Sequence, residues 1–91
     1  MDLAARRVFV REKEVRLTRT EYQLLALLVR HAGKVITHRQ ILTEVWGPDS
    51  ASQTPNLRVY MGHLRHKLED EPANPRYLLT EVGVGYRLAV D

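Results

Sequence analysis

The stretch Thr54–Leu68, TPNLRVYMGHLRHKL, decides how the rest of the chain is read. Pro55 suits the first turn of a helix, where its missing N–H costs nothing, and Thr54 before it is a natural N-cap. Leu57, Met61, Leu64 and Leu68 recur at helical spacing and form one apolar stripe, widened by Tyr60. The opposite face carries Arg58, Val59, Gly62, His63, Arg65 and His66, with no acid along it; acids return only at Glu69-Asp70-Glu71. A helix of this length runs about 22 Å, enough to lie across a DNA major groove, which admits a helix. Alone, the pattern fits an ordinary amphipathic helix with a solvated basic face equally well. The flanking sequence separates the two readings.

Upstream, Asp49–Gln53 is a polar connection, longer than the tight turn of the simplest helix-turn-helix proteins. Before it, Thr37-x-x-Gln40 is a capping box, with Ile36 and Ile41 placed for a hydrophobic staple. The spacing predicts a short helix over His38–Trp46, with Ile41, Leu42, Val45 and Trp46 apolar and Gly47-Pro48 as its stop. The same device occurs earlier. Thr18-x-x-Glu21, flanked by Leu17 and Tyr22, opens a helix over Arg19–His31 that buries Leu24, Leu25 and Leu28 and is closed by Gly33 in a left-handed conformation. Residues 1–17 alternate as two short strands, Val8 and Val10 with Arg7, Phe9 and Arg11, then Val15 and Leu17 with Arg16. Arg11-Glu12-Lys13-Glu14 is the polar turn between them, although no Asn-Gly or Asp-Gly marks it. Such a ribbon is marginal alone, so it should pack on the helices or pair with another strand.

Downstream, Glu69–Arg76 reads as an acidic, Pro-containing, solvated linker. Tyr77–Thr80 and Tyr86–Val90 flank the turn Glu81–Gly85 and make a second hairpin, whose glycines permit positive φ where the chain reverses. Gly83-x-Gly85 is no phosphate loop, because it lies between strands and lacks a third Gly and the Lys-Ser/Thr of nucleotide motifs. The order is therefore hairpin, three helices, hairpin. This is an α+β winged helix-turn-helix: the second and third helices form the pair, the first closes the core behind them, and the last hairpin is the wing.

Composition agrees without deciding anything. Ninety-one residues make one domain, residues 1–91, with a limited core. The net charge of +3 suits a polyanionic partner. With no cysteine there is neither a disulfide framework nor a thiolate zinc site. No apolar run reaches the roughly 20 residues of a membrane span, and the N-terminus has no secretory h-region. Met1-Asp2-Leu3 stands almost inside the first strand, so a strand or a whole domain is expected to precede it in a longer parent protein.

Six groups of residues together are familiar: Leu17-Thr18-x-Thr20-Glu21-Tyr22-x-Leu24-Leu25; Gly33-Lys34-Val35-Ile36-Thr37-x-x-x-Ile41-Leu42; Val45-Trp46-Gly47; the helix LRVYMGHLRHKLE; Asp70-x-Pro72-x-x-Pro75; and Gly83-Val84-Gly85-Tyr86-Arg87. The set covers nearly the whole chain in order and resembles the effector domain of OmpR/PhoB-family bacterial response regulators. The resemblance implies a cytoplasmic protein with an N-terminal receiver domain, absent from this chain, that a sensor kinase phosphorylates. It also implies double-stranded DNA with direct-repeat half-sites as partner, a head-to-tail homodimer on that DNA, and contact with RNA polymerase through the loop after Trp46.

Carried onto this chain, the resemblance places Arg58, Val59, Gly62, His63 and His66 in the major groove and gives Arg65 a phosphate. Trp46 matches a position whose indole N–H reaches a phosphate, and its ring can also be core. Thr37 sits near the backbone but is foremost a cap. Thr80 and Tyr86 match wing positions near the backbone or minor groove. Two departures stand out. Val82 occupies the place of a frequent wing arginine, and His63 that of a basic residue. A neutral His lacks the bidentate grip of Arg on guanine, so a single domain is expected to bind modestly and to depend on dimerisation. Gly62 is unfavourable mid-helix, which either close approach to DNA or close helix packing explains. His63 and His66 are one turn apart, but further metal ligands are not evident, and no cofactor motif is present. No catalytic arrangement appears. The stronger rival is a winged helix that binds protein, which would not need an acid-free outer face.

Overall fold

The computed structural model describes residues 8–10, 12–49 and 51–90. The chain begins with β1 (Val8–Val10) and β2 (Lys13–Val15), paired antiparallel with Val8 opposite Val15 and Val10 opposite Lys13. Only Arg11 and Glu12 lie between the paired ends, so the reversal is tighter than the four-residue turn expected. Glu12 takes φ +67°, a conformation L-residues rarely adopt, in place of the glycine such a turn usually recruits. Arg7 and Arg11, the outward partners in the expected alternation, lie outside the described residues, as does everything before Val8. Among the described residues the ribbon pairs with no other strand. It docks on the helices instead: Val8 is buried, and Val10, Val15 and Leu17 pack against the core.

Three helices follow, α1 (Arg19–Arg30), α2 (His38–Trp46) and α3 (Thr54–Leu68). The cap of α1 is the reciprocal box its sequence announces: Thr18 Oγ1 accepts from the Glu21 N–H, and Glu21 Oε1 accepts from the Thr18 N–H. α2 keeps only half of its box, with Thr37 Oγ1 accepting from the Gln40 N–H at 3.1 Å. For α3 the expected cap is corrected. A 3-10 turn over Ala51–Gln53 runs straight into the helix, so Thr54 is already its first residue and Gln53 stands at the cap. Gln53 has φ −88° and ψ 4° and gives the helix backbone no side-chain bond; its amide is bonded by the Asn56 side chain instead. Pro55 does stand in the first turn.

The C-terminal hairpin forms as expected and gains a third strand. Val35–Thr37 is a strand, β3, which pairs with β5 (Gly85–Leu88), and β5 pairs in turn with β4 (Leu78–Glu81). The C-terminal hairpin is thus two-thirds of a three-stranded antiparallel sheet of order β3-β5-β4. The two glycines of the turn do different jobs. Gly83 has φ +75°, whereas at Gly85 a Cβ would lie 1.8 Å from the Ile36 carbonyl oxygen, so close strand approach is what requires glycine there. Gly33 takes the expected left-handed conformation, φ +84°, but His31 is the cap residue of α1, and the Gly33 N–H goes to Leu88 O and ties the loop to β5.

One core joins these elements. Leu24, Leu25, Leu27 and Leu28 of α1 face Ile41 and Leu42 of α2, the Leu57, Met61, Leu64 and Leu68 stripe of α3, and Leu78, Tyr86 and Leu88 of the sheet. α1 packs on both other helices and on β5. The linker after α3 is anchored rather than merely solvated. Glu69 is buried, and its carboxylate accepts the backbone N–H groups of Arg76, Tyr77 and Leu78 at 2.7–3.3 Å, fixing where β4 begins.

Candidate nucleic-acid interface

Burying the apolar stripe of α3 turns a strip outward: Pro55, Arg58, Val59, His63 and His66 are exposed, with half-buried Gly62 between them. Val59 leaves 51% of its surface free. Arg58 and His66 make no hydrogen bond or ion pair among the described residues. Gly62 settles one of the two explanations offered for it. A Cβ there would meet nothing within 4 Å, so packing within this fold does not call for glycine.

The two flanks of this strip are tied to the body. On the wing side, the Arg65 guanidinium grips Leu78 O through Nε at 3.0 Å and Nη2 at 2.8 Å, and donates to Thr80 Oγ1 at 2.7 Å. It also lies 5.8 Å from the centre of the Tyr86 ring. The group expected to clamp a phosphate is therefore already a strut between α3 and β4. Thr80 is exposed, and Tyr86 is only 5% exposed, edge-on to His38 at 5.4 Å. Trp46 is half-buried against Tyr60, ring centres 5.6 Å apart.

On the α1 side stands a group that sequence reading assigned only to capping. The buried Glu21 carboxylate receives Lys67 Nζ at 2.6 Å and lies 3.4 Å from His63 Nδ1. Burial works against its charge and is the largest single influence. The Lys67 bond, the Thr18 N–H and the positive fields of Lys67 and His63 together outweigh it and hold the carboxyl below the ordinary glutamate range. No sequence signal pairs Glu21 with Lys67, because 46 positions separate them.

At the wing tip, Val82 is 90% exposed and Val84 about half. The cation of the wing, Arg87, is paired with Glu81 at 3.2 Å. Away from this surface, a groove of about 420 Å³ lies between β1 and the loop after α3, lined by Leu68, Glu69 and Tyr77 among others, where Glu69 is committed to backbone N–H groups. Among the described residues no three metal-ligating side chains converge, and no helix is long and apolar enough to cross a membrane.

A helix-turn-helix pair whose outer strip is cationic, backed by a sheet that carries a wing, defines a winged-helix effector domain. The chain matches the family described as "Transcriptional regulatory protein, C terminal" over residues 12–88 and belongs to it; it is a response-regulator domain of the OmpR/PhoB type. In sequence it is similar to the KDP operon transcriptional regulatory protein KdpE of Escherichia coli (strain K12), 55% identical over 87 residues that make up 96% of this chain and 39% of that protein. In structure it is similar to the response regulator DrrB of Thermotoga maritima, an OmpR/PhoB homologue (TM-score 0.84, 33% identity, 92% of this chain and 38% of that one). It is also similar to the Klebsiella pneumoniae RstA DNA-binding domain, whose structure is a complex with the RstA box (TM-score 0.86, 26% identity, 97% and 87% covered). The chain thus spans about two-fifths of the length of the KdpE relative.

Proposed function

We propose that this domain binds double-stranded DNA sequence-specifically, laying α3 in the major groove with the wing against the adjoining backbone, as the output domain of a two-component regulator of transcription. The observation that carries the reading is the outer strip of α3: exposed Arg58, Val59 and His66 around a glycine with no packing reason, and no acid along it. Phosphate contacts there supply affinity and base-edge contacts supply choice. On this reading exposed Thr80, bonded to Arg65, and half-buried Trp46 would meet the backbone, while Tyr86, 5% exposed, serves the core.

The parent regulator, on this reading, receives its signal from a sensor kinase through a receiver domain, pairs head to tail on direct-repeat half-sites, and meets RNA polymerase through the loop after Trp46. Its targets are potassium-uptake genes. Similarity to KdpE along 96% of the chain supports that assignment. Two stretches, Trp46-Gly47-Pro48 and Leu57–Arg65, also resemble that type of regulator.

Fluorescence anisotropy with an AT-rich direct-repeat duplex and a scrambled one, over a salt series, tests the reading. Binding that prefers the repeat and falls steeply with salt is expected, since each phosphate neutralised contributes about 0.9 to the logarithmic slope. Equal affinity for both duplexes would reduce the domain to a nonspecific nucleic-acid binder. No binding at low salt would make it a protein-interaction module.

A further inference from the structure

Glu21 belongs to the cap of α1, yet its carboxylate looks onto α3. Its two oxygens face different groups, Oε1 through hydrogen bonds and Oε2 through a longer charge contact. Oε1 accepts the Thr18 N–H at 2.9 Å and Lys67 Nζ at 2.6 Å, while Oε2 lies 3.4 Å from His63 Nδ1. Lys67 is fixed by a second bond, to Arg16 O at 3.1 Å. The Tyr60 ring stands edge-on to the imidazole at 5.8 Å. The charges facing His63 are thus Glu21 from α1 and Lys67 from its own helix, and the segment before α1 contributes only a carbonyl. The His63 side chain is 53% exposed, so the ring edge away from Glu21 is free at the border of the outward strip.

A neutral imidazole carries its proton on one nitrogen, and the partner of one nitrogen decides the role of the other. An ionised carboxylate only accepts. It favours the tautomer with the proton on Nδ1, which leaves Nε2 as a bare acceptor. In the major groove the donors are the amino groups of adenine and cytosine, whereas guanine offers two acceptors. We propose that Glu21, which touches no base, is a positioning residue that sets the hydrogen-bond polarity of His63, so that neutral His63 selects adenine or cytosine and disfavours guanine. The inference rests on the DNA-binding reading above. It adds to α3 a determinant of specificity that lies on a different helix.

Glu21→Gln separates this from a merely structural role. The amide oxygen keeps the place between two donors, Thr18 N–H and Lys67. The amide nitrogen then takes the place of Oε2 and donates to Nδ1, which moves the imidazole proton to Nε2 and turns the outward edge into a donor. Nitrogen-15 histidine spectra of the DNA-free chain at pH 8 read this directly. In the unsubstituted protein the unprotonated-type resonance of His63 is expected on Nε2, and in E21Q on Nδ1. An unsubstituted protein with its proton on Nε2 overturns the proposal, whether or not any variant folds.

Sequencing of duplexes selected from a randomised library at pH 8 reads the consequence. One position should favour adenine or cytosine over guanine about two- to tenfold, the range of a single net hydrogen bond. E21Q should move that preference toward guanine or thymine, and His63→Ala should remove it and make E21Q silent. An E21Q effect that persists with His63→Ala overturns the proposal. If the unsubstituted chain selects no duplex, the DNA reading itself fails, and the tautomer spectra still report separately on the Glu21–His63 contact.

Discussion

The two halves of α3 are held in different ways. Its first half, Thr54–Gly62, is fixed by what it buries: Leu57 and Met61 in the core and Tyr60 against Trp46. No side chain caps its start, and its cation Arg58 reaches outward unpaired among the described residues. The second half is fixed by its polar groups as well. Arg65 is bonded to β4, Lys67 to Glu21 and Arg16, and Glu69 just beyond receives three backbone N–H groups. The difference teaches that counting positive charges on a helix overstates what is free for a polyanion. Of the lysine and arginine side chains in α3, two of three serve the fold.

If that contrast is right, the largest effects on stability come from the second half. Glu69→Ala leaves the N–H groups of Arg76, Tyr77 and Leu78 without their acceptor. An unsatisfied buried donor costs about 1–3 kcal/mol, so a loss of about 3 kcal/mol in urea unfolding is expected, with water recovering part of the total. A loss under about 1 kcal/mol would mean that the linker after α3 is held by something else, and the contrast would weaken.

Arg65 comes next. Its bonds to Leu78 O and Thr80 are charge-assisted but half-exposed, and Arg65→Ala is expected to cost about 1.5 kcal/mol in the same assay. Arg65→Lys sharpens the point, because it keeps the charge and loses the planar fork. A strut predicts that Lys is nearly as harmful as Ala to both stability and DNA affinity. A phosphate clamp predicts that Lys restores affinity.

What was legible in the sequence follows the same division between local and distant partners. Thr18 and Glu21 announced the start of α1 because a capping box closes within four residues. The stripe Leu57, Met61, Leu64, Leu68 announced the buried face of α3 because one helix turn repeats it. Val35-Ile36-Thr37 carries no strand signal of its own: three residues give too little alternation, and the partner β5 lies some fifty positions on. Glu69 looked like solvated charge because nothing nearby in sequence marks the three N–H groups it receives. Arg65 reads as free to clamp a phosphate for the same reason. The strip of candidate contacts was legible as a face, but its edges were not, since Leu78, Thr80 and Glu21 draw them from other elements.

The free half gives smaller effects of a different kind. Arg58→Ala should leave urea unfolding unchanged within about 0.5 kcal/mol, as exposed substitutions without partners do. On DNA it should lower affinity and reduce the logarithmic salt slope by about 1 if its contact is a phosphate. An unchanged slope with altered base preference would instead make Arg58 a reader of base edges.

Gly62→Ala is the smallest change and the most discriminating, because stability and binding should move in opposite directions. Glycine inside a helix is less favourable than alanine by about 0.8–1.0 kcal/mol. At position 62 the added methyl meets no atom within 4 Å and φ lies outside the left-handed region, so the fold offers nothing to set against that gain. Unfolding should therefore become harder by nearly that amount. A helix seated in a groove, with its backbone brought close to the bases at Gly62, has no such room. Weaker DNA binding by a more stable protein would locate the cost of the glycine in the complex. Equal or tighter binding would show that the helix does not approach DNA at Gly62, and would shift the contact toward the flanks held by Arg65 and Glu21.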